Sequence, residues 1–110
     1  MKHLLFATLE NTKETHDLIH ELSKLGYNGT VMATKSLKHI LQDENEDLPS
    51  FISLSHLQSN NLQANTTIYF ILNDEALQEV KSKIREYTKE FKATKGGMFA
   101  IPLESYEGSF

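Results

Sequence analysis

Residues 66–103 limit the possible folds most, because strand, helix and strand patterns follow one another there without interruption. Residues 66–72 are mostly β-branched, aromatic or aliphatic and precede Asn73 and Asp74, which is typical of a strand in the interior of a sheet. Either of these two polar residues can cap a following helix. That helix is predicted to pack on the sheet through one apolar stripe, formed by Leu77, Val80, Ile84, Tyr87 and Phe91.

A glycine pair and a final strand follow this helix. Gly96 and Gly97 predict a break in regular structure, and residues 98–103 then have the composition of a strand. Because Pro102 has no amide proton to donate to a neighbouring strand, we expect this strand at an edge of the sheet.

The N-terminal part of the chain has the same order of elements. A strand centred on residues 4–7 precedes a helix whose start, Asn11 with Glu14 three residues later, is similar to a capping box. Gly26 is a plausible stop for this helix, and residues 30–34 form a second strand. The apolar face of the helix is predicted to carry Leu18, Ile19, Leu22 and Leu25.

Together these patterns predict an α+β fold, with order βαββαβ, in which two helices cover one face of a four-stranded antiparallel sheet. This is the ferredoxin-like arrangement. A chain of 110 residues suffices for one such domain, residues 1–110, and not for two. The opposite sheet face is left without cover, so we expect apolar residues there, such as Met32, Tyr69 or Phe99, to be buried by self-association.

A long connection, about residues 35–65, joins the second and third strands. It exceeds the roughly 12 to 15 residues of an ordinary loop, and its apolar content is too high for plain disorder. Connections of this length are usually functional, disordered or wrongly assigned.

The composition excludes several classes of partner. With 15 acidic and 11 basic residues the net charge is -4, which disfavours a nucleic-acid polymer. No stretch approaches the roughly 20 apolar residues of a membrane span, and the first apolar run is too short for a signal peptide. The absence of cysteine excludes disulfides and thiolate metal sites and suits a reducing cytoplasm, where we expect the protein.

Two patterns similar to metal sites lack essential residues. His16 and His20 lie one helical turn apart, but Asp occupies the place of the catalytic Glu of zinc proteases, and both His lie away from the apolar stripe. The acidic run that begins at Asp43 resembles a calcium loop, yet Leu48 and Leu54 stand where Gly and Glu are needed. We therefore predict solvent-exposed side chains in both places, with a weaker cation site at the acidic run as the alternative.

The sequence also gives no positive sign of catalysis. It contains neither a phosphate-binding glycine motif nor a nucleophile elbow, and no set of acid, base and nucleophile is visible. An acylphosphatase-type enzyme on the same fold would need an Arg-bearing phosphate loop after the first strand, where this chain has residues 10–13, Glu-Asn-Thr-Lys. We predict a protein that is not an enzyme and has no cofactor.

Residues 92–97 are the best candidate for an anion site. The glycines allow backbone amides to converge on an oxyanion, the threonine adds a hydroxyl donor, and two lysines add positive charge. A helix C-terminus with lysines that match its dipole, followed by a glycine turn, would explain the same residues. The candidate ligand-binding residues here are Thr94, Lys95, Gly96 and Gly97.

Several short motifs together resemble one family. They are the N-terminal strand, the long excursion after the second strand, the Asn73-Asp74 exit before the second helix, and a Phe-x-x-Pro strand from Phe99 to Pro102 before an aromatic tail. In these features the chain resembles PII-like signalling proteins, most closely their cyclic-di-AMP receptor branch.

The resemblance implies a homotrimer whose ligand clefts lie between subunits and are walled by residues 35–65 and 92–97. It implies that Lys95 and the glycine amides meet the phosphate of a small anionic effector, a nucleotide with cyclic dinucleotides among the candidates. Thr30 and Phe99 would line the cleft, and Lys35 or Lys38 would approach from the long loop. Reordering of that loop would pass the signal to a target protein that the sequence does not identify.

Two other functions fit the same fold. A metal-binding trimer of the CutA type would use His3, His39 or His56 as ligands, since imidazole suits copper and zinc. A module that binds only protein would use the leucine-rich long loop as its interface.

Overall fold

The structure, a computed structural model, describes residues 1–37, 40–41 and 65–110. In chain order its elements are β1 (His3–Glu10), α1 (Lys13–Lys24), β2 (Thr30–Thr34), β3 (Asn65–Leu72), α2 (Asp74–Thr88) and β4 (Gly96–Pro102). The acidic run at Asp43, and with it most of the long connection, lies outside the described residues. No helix in the described part of the chain is long and apolar enough to cross a membrane.

The four strands form one antiparallel sheet in the order β2-β3-β1-β4. This confirms the predicted α+β, ferredoxin-like fold. As predicted, β3 lies inside the sheet, and β4, which contains Pro102, lies at an edge.

Both helices pack on the same side of the sheet. Every second residue of β1 faces them, and Leu5, Ala7 and Leu9 are almost fully buried there. The helices contribute most of the stripes predicted from their periodicity, and the core is closed by Leu18, Leu22, Leu77, Val80 and Ile84.

Helix α1 begins one residue later than predicted, so the assignment of Asn11 as its cap is wrong. The cap is Thr12, whose hydroxyl accepts a hydrogen bond from the Thr15 amide. At the other end the helix stops where Gly26, at φ 90°, provides the predicted turn. Leu25 is therefore the C-cap and is 43% exposed, whereas we predicted it in the apolar stripe.

Helix α2 is capped by Asn73, whose side chain accepts from the Ala76 amide at 2.8 Å. It ends earlier than its apolar stripe suggests, at Thr88, whose hydroxyl donates to the Ile84 carbonyl and accepts from the Phe91 amide. The next three residues have φ values of 52°, 58° and 62° and turn the chain in the left-handed sense. Phe91 is thus outside the helix, although it still packs against the core.

The glycine pair does not precede the last strand as predicted. Gly96 and Gly97 are its first two residues and pair with Leu9 and Thr8 of β1. The glycines consequently belong to the sheet, directly beside the end of β1.

Candidate functional site

The side of the sheet away from the helices, which we call the open face, carries exposed apolar side chains. Phe99 and Ile101 of β4 are 56% and 46% exposed on it. Phe99 stacks on Phe6 of β1, with ring centroids 5.2 Å apart and planes 22° apart. Large apolar side chains that remain exposed side by side are typical of an interface.

A row of hydroxyl groups crosses the open face next to its apolar part. The hydroxyl oxygen of Thr67, on β3, lies 3.0 Å from that of Thr8 and 2.7 Å from that of Thr34. The row therefore runs from β2 to β1, and Gly97 continues it on β4, because Gly97 pairs with Thr8. The open face has a polar end beside the predicted anion loop.

The anion loop, residues 92–97, is fixed to the turn before α1. The hydroxyl oxygens of Thr94 and Thr12 lie 2.9 Å apart, and Thr94 is fully buried. The amide of Thr94 donates to the Thr88 carbonyl at the end of α2. The Thr94 hydroxyl, which we predicted as a donor to a ligand, thus faces a partner inside the protein and ties the loop to α1.

A carboxylate already occupies one amide of the anion loop. The amide of Lys95 donates to Oε1 of Glu10 at 2.7 Å, and the amide of Glu10 donates to the Lys95 carbonyl at 2.9 Å. A hydrogen bond from an amide to an ionised oxygen is about twice as strong as a neutral one. The Lys95 amide therefore already has an ionised acceptor within the protein.

The two glycines of the loop have different surroundings. A Cβ atom on Gly96 would lie 2.1 Å from the Thr8 carbonyl oxygen, and Gly96 has φ of 148°, so packing against β1 requires glycine there. A Cβ atom on Gly97 would meet no described atom within 4 Å. Space for an approaching group therefore exists at Gly97 and not at Gly96.

Two lysines of this loop, Lys92 and Lys95, carry positive charge into solvent. Lys92 and Lys95 are exposed, and neither forms an ion pair with any of the described residues. Within the described part of the chain, an incoming anion would therefore not have to break a salt bridge to reach either ammonium group.

The predicted residues on β2 lie far from this loop within one chain. Thr30 begins β2, and Lys35 follows its last residue, so the two are about 16 Å apart along the strand. Lys35 is half-buried and takes part in an interaction of its own. Lys38 lies outside the described residues.

The strand order separates the predicted residues into two groups. One group is on β4 and its preceding loop, and the other is on β2, at the opposite edge of the sheet. Three strand spacings, about 14 Å, lie between those edges. A single phosphate cannot contact both groups in one chain, although Thr30 and Phe99 do share a cross-strand row through Tyr69 and Phe6.

Sequence reasoning missed Glu10 and the hydroxyl row. Strand alternation alone indicates that Phe6, Thr8 and Glu10 share one face of β1. Which residues of β3 and β4 lie beside them depends on the strand register, and no local pattern specifies that. Strand alternation therefore predicts which face of β1 these side chains share. It does not predict which residues of β3 and β4 they contact.

Of the three histidines proposed for a metal-binding alternative, the structure describes His3. Nε2 of His3 lies 2.5 Å from Oδ1 of Asp74, at the first residue of α2. His39 and His56 lie outside the described residues. Among the residues that are described, no group of three or more His, Cys, Asp or Glu side chains could hold a metal ion. His16 and His20 are exposed, as predicted.

The contact between His3 and Asp74 predicts a dependence of stability on pH. The hydrogen bond from His3 is the main cause that lowers the pKa of Asp74 from its usual 3.8, and the positive N-terminus adds to it. The carboxylate therefore stabilises the fold above pH 3.8, and this contribution is lost as the pH falls through the lowered pKa. Thermal midpoints should show Asp74→Asn less stable than the unchanged protein at pH 5 to 7, with the gap closing in stronger acid.

Glu75→Gln is the matched control for this effect, because Glu75 lies in the same first turn of α2. It removes the same charge from the helix N-terminus and leaves the His3 contact in place. A larger gap for Glu75→Gln than for Asp74→Asn would show that the contact with His3 does not matter.

Comparisons with known proteins give a likeness of fold. No protein-family model matches the chain, and no curated protein matches it. Among solved structures, one similar fold is the crystal structure of a functionally unknown protein from Pediococcus pentosaceus. It has a TM-score of 0.62 and 13% sequence identity, over 98% of this chain and 97% of that one. The likeness covers both chains almost completely and concerns their fold alone.

Proposed function

We propose that this protein is a cytoplasmic, non-catalytic PII-like sensor. It assembles as a homotrimer, binds a small anionic effector at the clefts between subunits, and signals to a target protein by reordering the connection between β2 and β3. The effector is a nucleotide, and cyclic dinucleotides are among the candidates.

The observation that carries the effector site is the hydrogen bond of the Lys95 amide to a carboxylate. A backbone that holds one ionised oxygen at 2.7 Å can hold a phosphate oxygen in the same place. The same loop carries two exposed lysines that form no ion pair with the described residues, and it has open space at Gly97. These features suit phosphate, whose several oxygens and high charge exceed those of a carboxylate.

Two features support a site between subunits. The open face exposes Phe99 and Ile101, and burying them against another copy would remove apolar surface from water. The candidate residues also lie on opposite edges of the sheet, on β2 and β4. A second copy can bring the β2 edge of one chain next to the β4 edge of another, which one chain cannot do for itself.

Isothermal titration with adenine nucleotides and cyclic dinucleotides tests the proposal. At least one of these ligands is expected to bind, and Lys95→Gln is expected to weaken it by about tenfold to a hundredfold through loss of a charged contact. Lys24→Gln is the control. The start of α1 contacts the anion loop through Thr12 and Thr94, and Lys24 lies at the other end of that helix, about 16 Å away. It removes the same charge and should leave the affinity nearly unchanged.

Two results would contradict the proposal. One is the absence of heat or of any spectral change with every member of the ligand panel. The other is an equal loss of affinity in Lys95→Gln and Lys24→Gln, which would indicate attraction by net charge without a site at the anion loop.

A further inference from the structure

The end of β1 and the anion loop clasp each other through one residue of each. Glu10 uses both its backbone and its side chain, because its amide donates to the Lys95 carbonyl and its carboxylate accepts from the Lys95 amide. Strand pairing alone accounts for the backbone contact, since the residue before Glu10, which is Leu9, pairs with Gly96. The side-chain contact is additional to the sheet.

We propose that the Glu10 carboxylate is an internal competitor for the anion site, which a phosphate must displace from the Lys95 amide in order to bind. This inference rests on the proposed function, because it concerns the same loop. The ligand class is a phosphate or pyrophosphate group with at least two negative charges. Inorganic anions and the phosphates of a nucleotide share that chemistry.

The chemistry of the contact gives the competition its direction. The carboxylate is tethered beside the amide, so its effective concentration there is high, and a weak anion cannot compete. A pyrophosphate brings more charge, and it can add contacts with the ammonium groups of Lys92 and Lys95, which form no ion pair with any described residue. The site therefore selects for multiply charged phosphates.

Displacement also changes the protein near the loop. Strand alternation places the Glu10 side chain on the open face, the side that carries the Thr8 hydroxyl and Gly97. A displaced carboxylate leaves the Lys95 amide and moves toward water, away from the bound anion. The link between the end of β1 and the anion loop is then reduced to its backbone hydrogen bond.

Titration with inorganic pyrophosphate, followed through the amide resonances of Lys95, Gly96 and Gly97, tests this directly. Glu10→Gln and Glu10→Ala are expected to bind at least about tenfold more tightly than the unchanged protein, because they remove a charged acceptor and a repulsive charge. Glu14→Gln is the control. It removes an exposed charge in the first turn of α1 and should change the affinity less than about twofold.

The unchanged protein supplies a second readout that needs no substitution. At saturating pyrophosphate the side-chain carboxyl ¹³C resonance of Glu10 should move toward that of the exposed Glu14. A resonance that stays in place while the amides shift would overturn the inference. Equal or weaker binding by both Glu10 variants, or an equal gain in Glu14→Gln, would also overturn it.

These outcomes separate this inference from the proposed function. If nucleotides bind the unchanged protein and the Glu10 variants show no increase in affinity for pyrophosphate, the proposed competition by Glu10 is wrong and the proposed sensor function is supported. If the Glu10 variants bind pyrophosphate tenfold more tightly while no nucleotide or cyclic dinucleotide binds, the competition by Glu10 is supported and the proposed sensor function is wrong.

Discussion

Gly96→Ala is expected to lower the thermal midpoint by roughly 12 to 18 °C, which corresponds to about 3 kcal/mol in a domain of this size. The new methyl carbon would lie 2.1 Å from the Thr8 carbonyl oxygen and 2.9 Å from Cα of Leu9, and both are backbone atoms that cannot turn aside. Relief requires β4 to move away from β1. Thermal unfolding followed by circular dichroism measures the change.

Gly97→Ala is the matched control, one residue along the same strand. Its Cβ atom meets no described atom within 4 Å, and Gly97 does not have the positive φ of its neighbour. The midpoint should stay within about 3 °C, since alanine here also restricts the unfolded chain slightly. Similar losses in the two variants would mean that glycine is needed in this strand for a reason other than contact with β1.

The regular elements could be predicted because their residues repeat with the period of the structure they form. Leu77, Val80 and Ile84 recur at steps of three and four, and all three are buried in the core. The composition of residues 66–72 indicated an interior strand, and β3 occupies that place. The spacing of hydrophobic residues therefore directly predicts which face of a helix or strand is buried.

The ends of the helices could not be predicted so well, because single hydrogen bonds decide them. Asn11 and Thr12 are both good caps, and the structure selects Thr12, whose hydroxyl also contacts Thr94. Phe91 has the right spacing to extend α2, but Thr88 binds the Ile84 carbonyl and the helix stops. The spacing of apolar residues predicts which helix face packs on the core. It does not predict the single hydrogen bonds that end a helix.

The candidate site was harder still, because it depends on which strands are neighbours. Glu10 and Lys95 are 85 residues apart, and their contact follows from the pairing of β1 with β4. The separation of Lys35 from Lys95 likewise follows from the strand order, which places β2 and β4 at opposite edges. The sequence could suggest suitable residue types, and only the register shows which of them meet.

Phe99→Glu is expected to convert the proposed trimer into a monomer. Phe99 is already 56% exposed in a single chain, so a charge there should harm the isolated fold little. Within an interface formed by the open face the same carboxylate would be buried without a partner, at a cost of about 3 kcal/mol or more for each copy. Association should then weaken by more than about a hundredfold. Sedimentation velocity or light scattering should give the mass of one chain in place of about three.

Val31→Glu is the control that gives this experiment its meaning. Val31 is an apolar residue of an edge strand, is 51% exposed, and pairs with the buried Ile68, which places it on the helix side of the sheet. It therefore matches Phe99 in exposure and lies on the opposite face. If the open face is the interface, Val31→Glu keeps the trimer and Phe99→Glu loses it. A monomeric unchanged protein, or a Phe99→Glu variant that remains a trimer, would mean that the open face does not bind another copy. The proposed cleft at the anion loop would then have residues of one subunit only.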